Sequence, residues 1–305
     1  MKIKQIIMTS LLSCIMAMTF VACSDDDGIK IPKPLPKEQW SATLKGDGEV
    51  LGAYPDLYCN YWEYTYRADE NSDKILCLKG EFPHCRYFSV SLYNDETGDV
   101  FSGINDQDIP ADKGSTNPFV KTTSGKNYFT IYVVPNGTPQ SVIDKLGPEN
   151  VVKVAKDVNK VAIALRHYLG TTADGSQKDE YAGVELPAIT ALDMDLHETS
   201  VPEHVASNIA KVTSKVFTQK SDENKEMPFF LAPVSMYYPN NSTAYLYGRT
   251  HLRKDSVLTF SFIPATVPTK PEEYRDAVTR YWSICIGSAS DTRSYMSIYD
   301  KKARY

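Results

Sequence analysis

From Trp40 to the end of the chain, apolar residues come in short runs that Gly, Asn, Asp and Pro separate. Short runs bounded by turn-forming residues are typical of β-strands. The chain also holds 20 tyrosines, and tyrosine and β-branched side chains favour strands because they pack well on a pleated surface. The pattern therefore predicts a mostly β fold.

Individual strands can be placed along the chain. Residues 75–78, 86–93 and 128–134 have the β-branched and aromatic content of strands. Residues 151–155 and 161–169 flank a short polar stretch, which predicts a β-hairpin. The composition of this hairpin would also tolerate a helix, but its β-branched content favours strands.

Two short helices are predicted in the middle of the chain. Thr138-Pro139 begins one of them and Gly147 ends it, because proline suits the first helical turn and glycine stops a helix. The other begins at Ser200. Its apolar face is formed by residues at helical spacing, namely Val205, Ile209, Val212 and Val216.

A weak internal repeat links the two ends of this β-rich region. Arg-Tyr-Phe-Ser at residues 86–89 recurs as Arg-Tyr-Trp-Ser at residues 280–283. A second matched block lies upstream of each copy, in which an arginine precedes two apolar residues by eight positions: Arg67 with Ile75-Leu76, and Arg249 with Val257-Leu258. The shared order of the two blocks favours a duplicated β-unit.

Several short motifs occur in one order between residues 60 and 290. They are Tyr61-Trp62 and residues 78–83, 86–89, 112–119, 184–187 and 280–283. Together they resemble a set of uncharacterised bacterial proteins with paired Tyr-Trp-Ser-type β-domains, and the Gly-Ser-x-Asn-Pro-Phe loop at 114–119 is the most specific part. This resemblance implies a mostly β, sandwich-like fold, and it implies no activity.

These observations divide the chain into segments. A first β-unit at residues 39–137 and a second at 225–305 flank a middle segment at 138–224, which holds the hairpin and the two helices. The predicted fold is mostly β, with two related β-sandwich-like units and a small helical insertion between them.

The first 23 residues have the three-part layout of a secretory signal. Lys2 and Lys4 precede an apolar run that ends at Ala22, and Cys23 follows at once. Serine and threonine interrupt the run, which is shorter than the roughly 20 residues that a spanning helix needs. Residues 20–23 resemble a lipobox, the motif at which a lipid is attached to a cysteine, although Phe takes the place of the commoner Leu. The resemblance implies lipidation of Cys23.

The residues after Cys23 indicate where the protein is held. The acidic run at 24–27 resembles the surface-export signal of Bacteroidota lipoproteins, or it is only the start of a charged linker. Proline alternates with other residues at 31–37, which favours an extended spacer. The sequence thus predicts a signal peptide at 1–22, a tether at 23–38, and a body anchored to the outer membrane, at the cell surface.

The charge of the chain excludes one class of partner. Removing residues 1–22 takes away two lysines and no acid, so the formal charge moves from −5 to −7. An acidic body without a basic run is not suited to bind nucleic acid.

Four cysteines remain if Cys14 is removed with the signal and Cys23 is lipidated: Cys59, Cys77, Cys85 and Cys285. The export route is oxidising and permits disulfides, and four cysteines allow three pairings. No Cys-x-x-Cys spacing indicates zinc or a redox dithiol. Whether one disulfide forms stays open.

Candidate ligand-binding residues come from the repeat. Alternation along a strand places Arg86 with Phe88, and Arg280 with Trp282, on the same face. If the two units pack about a pseudo-twofold axis, both arginines could bind a carboxylate, a phosphate or a sugar hydroxyl in one cleft. Trp282 and Trp62 could stack on sugar rings. Alternatively, the arginines pair with local acids or aromatic rings, and the aromatic residues belong to the core.

Catalytic and metal-binding patterns are absent from the sequence. Asp106, Asp108 and Asp112 lie near Asn105 and Asn117, and such oxygen donors could hold a hard cation. EF-hand spacing is missing, however, and turn formation explains these residues better. No histidine pair at metal spacing, Gly-x-Ser-x-Gly elbow or glycine-rich phosphate loop occurs. We therefore predict no catalytic residue, metal or cofactor.

The function expected from location and composition is binding of a glycan or another polar ligand at the cell surface. A structural or adhesive surface protein is the first alternative. A hydrolase, with a site assembled only in the fold, is the second.

Overall fold

The computed structural model describes residues 39–44, 54–208, 227–231, 238–250, 254–288 and 293–303. Within these residues the protein is mostly β, as predicted. The strands are β1 Ser41–Leu44, β2 Cys59–Arg67, β3 Ile75–Glu81, β4 Tyr87–Asn94, β5 Val100–Asn105, β6 Tyr128–Val134, β7 Val151–Lys153, β8 Lys160–Tyr168, β9 Ala188–Leu192, β10 Glu198–Thr199, β11 Met227–Leu231, β12 Leu246–Arg249, β13 Ser283–Gly287 and β14 Ser294–Tyr299. One α-helix, α1, spans Gln140–Leu146.

Two five-stranded sheets enclose the main core in a sandwich-like arrangement. The first sheet has the strand order β1-β2-β8-β4-β5 and is antiparallel. The second has the order β10-β9-β3-β6-β7, and its β6–β7 pair is parallel. Apolar side chains from both sheets pack into one cluster, so removal of apolar surface from water holds the sheets together.

Strand β8 shows why the central strands are apolar on both faces. Val161, Ile163 and Leu165 point into the core between the sheets. Ala162, on the opposite face, packs instead against Tyr238 and other covering residues. A strand that is covered on both sides carries a nearly continuous apolar run and shows little alternation.

Strand prediction was confirmed, but the predicted hairpin is wrong. Residues 75–78 lie in β3, residues 86–93 overlap β4, and residues 128–134 are β6. The two arms of the hairpin are strands, β7 and β8, yet they lie in different sheets. Local composition predicts extended backbone, whereas the choice of partner strand depends on long-range contacts.

One of the two helices is confirmed. Helix α1 ends at Gly147, which has a φ of 83°, and it buries Val142, Ile143 and Leu146. It joins the parallel strands β6 and β7, a connection that requires a crossover. The other helix does not begin at Ser200: residues 201–208 have no helical structure, and 209–226 lie outside the described residues.

Residues 201–208 are held out of a helix by hydrogen bonds to β2 and to the turn after β4. The Val205 N–H donates to the Thr65 carbonyl at 2.8 Å, and the Tyr64 hydroxyl donates to the Pro202 carbonyl. The Asn208 N–H donates to the buried Asp95 carboxylate at 2.9 Å. These bonds take up polar groups that would otherwise form intrahelical bonds.

The strands do not follow the sequence division at residue 138. Strands β7, β8 and β9 belong to the middle segment, and they complete the two sheets that the first β-unit begins. After residue 225, β11 pairs with β12 and β13 pairs with β14 in two-stranded sheets. No strand forms within residues 254–268, where the repeat predicts a counterpart of β3.

The predicted signal and tether, with Cys23, lie outside the described residues. Among the residues that are described, no helix has the length and apolar composition needed to cross a membrane.

Candidate functional site

A cleft of about 260 Å³, here called the tyrosine cleft, lies where the first sheet meets residues 240–243 and 274–281. Four tyrosines line it: Tyr87, Tyr168, Tyr274 and Tyr281. Amide and hydroxyl groups come from Asn105, Gln107, Asn240, Ser242, Thr243 and Thr279, and guanidinium groups from Arg275 and Arg280. Among the described residues, none that lines the cleft carries a carboxylate, an imidazole or a thiol.

Arg280 is held in one orientation at the wall of the cleft. Its Nη2 lies 2.8 and 3.0 Å from the two carboxylate oxygens of Asp106. The guanidinium also lies 5.2 Å from the ring centroid of Tyr87 and 5.0 Å from that of Tyr274, within the range of cation–π attraction. Nη1 is buried and has no hydrogen-bond partner in the described part of the chain.

Asp106 is the counter-ion behind Arg280 and lies in the turn after β5. It is fully buried, and the Phe88 N–H donates to its carboxylate at 2.9 Å. Burial raises the pKa of Asp106 to about 6, although the Arg280 guanidinium lowers it. Because the carboxylate is ionised at neutral pH, it offsets the charge of Arg280.

The Asn-Pro-Phe loop explains why Asp106 is fixed. Asn117 Nδ2 donates to the Asp106 carbonyl at 2.6 Å and to the Ile109 carbonyl at 2.8 Å. Asn105 Nδ2 donates to Asp108 at 2.7 Å. These oxygen donors therefore form turns, and no cluster of possible metal ligands occurs among the described residues.

Arg86 joins the start of β4 to the Arg280 region. Its Nη1 lies 3.1 Å from the Arg280 carbonyl and 3.3 Å from the Asp300 carboxylate. The two arginines of the repeat are thus brought together, and each is paired with an acid. Only Arg280 lines the cleft.

The aromatic residues predicted as ligand contacts lie elsewhere. Phe88 is fully buried between the sheets against Phe129 and His167. Trp62 is also buried and packs on His167 and Tyr181. Trp282 is half-buried, and its ring meets that of Phe262 at 5.3 Å.

Two of the cleft residues that sequence reasoning missed, Tyr87 and Tyr281, are neighbours of the predicted residues Phe88 and Trp282. Alternation along β4 places Tyr87 on the face opposite to Phe88. Others, such as Tyr168 and Tyr274, come from segments outside the repeated Arg-Tyr motif. The signal was present in the repeat, since both copies carry tyrosine at this position. Which face of β4 meets the core cannot be read from a strand that is buried on both sides.

The wall at residues 238–243 is attached to the outer face of the first sheet. The buried Arg166 donates from Nη2 to the Tyr238 carbonyl at 2.9 Å. Tyr93 donates its hydroxyl hydrogen to the Pro239 carbonyl at 2.8 Å, and Tyr87 donates to Asn240 Oδ1 at 3.1 Å. These bonds position Asn240 at the cleft.

The tyrosine rings at the cleft support one another. The ring centroids of Tyr87 and Tyr168 are 5.6 Å apart, and those of Tyr168 and Tyr281 are 5.2 Å apart, both edge-on. The Tyr281 hydroxyl donates to Asp56 at 2.7 Å. Because several contacts hold each ring, the cleft is largely pre-formed, as ligand sites usually are.

The four cysteines of the described body are free thiols: Cys59, Cys77, Cys85 and Cys285. Burial raises the pKa of Cys77 to about 12. Cys285 is an exposed residue, but neighbouring atoms desolvate its sulfur and raise its pKa to about 11. Burial also raises the pKa values of Cys59 and Cys85. Thiols in this state are poor nucleophiles.

No family model and no curated protein matches the chain. Two solved structures show a weak similarity. The VPA0106 protein of Vibrio parahaemolyticus is 15% identical over 45% of this chain and 31% of its own length, with a TM-score of 0.29. An uncharacterised protein of Burkholderia cenocepacia is 9% identical over 63% of this chain and 48% of its own length, with a TM-score of 0.36. The chain therefore spans less than half of either protein, and no property is transferred from them.

Proposed function

We propose that the protein binds a small, polar ligand of the carbohydrate class in the tyrosine cleft. The observation that carries the proposal is the lining, which combines two partly exposed tyrosine rings, Tyr274 and Tyr281, with amide and hydroxyl groups; the rings of Tyr87 and Tyr168 are buried beside them. Aromatic rings pack on the apolar faces of sugars, and amides and hydroxyls bond their hydroxyl groups. Pockets for drug-sized ligands measure roughly 300–1,000 Å³, so a cleft of about 260 Å³ favours a single sugar ring.

Binding is favoured over hydrolysis because the cleft lacks the groups for hydrolysis. Glycosidases use two carboxylic acids roughly 5–10 Å apart across the substrate, and the general acid has a raised pKa. No acid of the described part of the chain lines the tyrosine cleft, and the Asp106 carboxylate is buried and bound to Arg280. A second cleft is lined by two acids, Asp69 and Asp157. Hydrogen bonding to Arg67 lowers the pKa of Asp69, which is the wrong direction for a proton donor, and Asp157 is exposed rather than in the apolar surroundings that a general acid needs.

An adhesive role is the second candidate, and one observation favours it. Phe229, Phe260 and Phe262 are exposed by 62%, 45% and 49%, and consecutive ring centroids lie 6.1 and 6.3 Å apart. Exposed apolar patches often mark contact surfaces. This role requires no ligand in the cleft, so the following binding experiment separates the two candidates.

Gln107→Ala is expected to weaken sugar binding about tenfold, since losing one ligand hydrogen bond costs about 1–1.5 kcal/mol. Isothermal titration calorimetry with neutral and acidic monosaccharides and disaccharides would measure the affinities. Gln177→Ala is the matched control, because Gln177 is exposed and does not line the cleft. If no sugar binds the wild type, or if both variants bind like the wild type, the proposal is wrong.

We also propose that lipid on Cys23 anchors the protein to the outer membrane, facing outward. The lipobox-like residues 20–23, the acidic run and the proline-rich spacer support this. Stable anchoring then follows from more than one acyl chain, because a single chain binds only marginally.

Cys23→Ala is expected to move the protein from the membrane fraction to the soluble fraction. Only this thiol can receive the lipid, whereas Cys14 lies within the predicted signal. Cys14→Ala should therefore leave the protein in the membrane fraction. Fractionation of cells followed by immunoblotting measures both outcomes, and a Cys23→Ala protein that still sediments with membranes would contradict the anchor.

A further inference from the structure

We infer that the ligand of the tyrosine cleft is an acidic sugar whose carboxylate binds Arg275 and Arg280. This inference rests on the proposed function and adds a charge requirement to it. The charge of the cleft lining is opposite in sign to that of the whole chain. The chain has a formal charge of −5, yet the described residues that line the cleft include two arginines and no acid.

Arg275 supplies a charged group that forms no ion pair with another described residue. It is exposed at the cleft, and none of the ion pairs formed by the described residues includes it. A guanidinium presents its donors in a planar fork that matches a carboxylate. Arg275 is thus available to an anion that enters the cleft.

Arg280 adds a donor with a fixed direction. Asp106 binds Nη2, while Nη1 is buried without a partner among the described residues. A charged donor in this condition is unfavourable until an acceptor reaches it. Tyr87 and Tyr274 pack against the guanidinium at the wall of the cleft, so a carboxylate in the cleft would meet a positive charge whose side chain has little freedom left to lose on binding.

The charge balance selects a singly charged ligand. Asp106 already offsets Arg280, so the remaining formal charge among the described lining residues is that of Arg275. A carboxylate carries one negative charge, whereas a phosphate monoester carries nearly two at neutral pH. The remaining amide, hydroxyl and tyrosine groups suit an uncharged polyhydroxylated ring. A uronic acid combines both features.

The test compares sugars that differ only in the acid group. Calorimetric titration of the full-length protein with glucuronate against glucose, and galacturonate against galactose, should show at least tenfold tighter binding of each acid. Arg275→Gln should lower this acid-to-neutral ratio about tenfold. Lys153→Gln makes the same charge change at an exposed position of β7, in the other sheet, and should leave the ratio within twofold. Added salt should weaken binding of the acids more than that of the neutral sugars.

The outcomes separate this inference from the proposed function. If neutral sugars bind as tightly as the acids, or if Arg275→Gln leaves the ratio unchanged, the inference is overturned and carbohydrate binding stands. If the acids bind only at low salt and equally well to Arg275→Gln, their attraction is nonspecific and the inference fails. If no sugar of either kind binds the wild type, the proposed function fails as well.

Discussion

Replacing Asp95 with asparagine is expected to lower the free energy of unfolding by about 3–5 kcal/mol, the usual result of removing one partner of a buried ion pair. Asp95 follows β4 and has no exposed surface. Lys160 Nζ lies 2.7 Å from its carboxylate, and the lysine side chain is only 12% exposed. The substitution would leave the lysine charge buried without its counter-ion.

The size of this effect also reflects the other bonds that Asp95 accepts. Its carboxylate accepts the Ser207 hydroxyl at 2.8 Å, the Asn208 N–H at 2.9 Å and the Tyr238 hydroxyl at 3.0 Å. Two distant segments are therefore attached to the first sheet through one carboxylate. The second of them leads into the wall of the tyrosine cleft, so cleft geometry should depend on Asp95 as well.

Urea unfolding followed by circular dichroism would measure the loss. Asp99→Asn is the matched control, because Asp99 also lies between β4 and β5 but is exposed. Substitutions at the surface usually change the free energy of unfolding by no more than about 0.5 kcal/mol. Adding Lys160→Met to Asp95→Asn should recover part of the stability, since it removes the unpaired charge. A loss below about 1 kcal/mol would show that the pair is not structural.

Because of His167, the free energy of unfolding is expected to decrease in acid, by up to about 1.4 kcal/mol for each unit by which the pH falls. The side chain is 1% exposed and packs between Trp62 and Phe88 at centroid distances of 4.9 and 5.4 Å. Burial lowers its pKa from 6.5 to about 3, while a hydrogen bond to the Glu180 backbone raises it by less. The ring is therefore neutral in the folded protein across most of the acid range.

The direction of the effect follows from proton uptake. Below pH 6.5 the unfolded chain binds a proton at this residue, whereas the folded chain does so only near pH 3. The unfolded state holds more protons within this window, so stability falls as the pH falls. Above pH 6.5 neither state is protonated and the contribution is constant. Asp106 acts in the opposite sense, because its raised pKa favours the folded state in acid and this contribution is lost as the pH rises through about 6.

A non-titrating reference separates the two residues. His167→Gln removes the histidine proton but leaves Asp106 unchanged, so the difference between wild type and variant reports His167 alone. The wild type should lose stability relative to the variant between pH 6.5 and 4, as measured by urea unfolding at half-unit steps. Parallel stability curves across that range would mean that His167 is accessible to water in the folded protein.

Several local features could be predicted from the sequence. The spacing of apolar residues, the β-branched content and the capping residues influence the backbone only within a few positions. They correctly indicated β6 at Tyr128–Val134 and the helix that Gly147 ends. The repeated Arg-Tyr pair also pointed to two arginines that do meet, since Arg86 bonds to the Arg280 carbonyl.

What the sequence by itself determined was therefore which segments are extended, where α1 ends and which short motif is repeated. Tertiary structure alone decided that β7 and β8 lie in different sheets and that Tyr87, and not Phe88, lines the cleft. The physical reason is that β4 is buried along both faces, so alternation of polarity cannot mark the core side. The pairing of the strands and the position of the cleft wall at residues 238–243 depend on contacts between residues far apart in sequence. A short-range pattern does not encode such contacts.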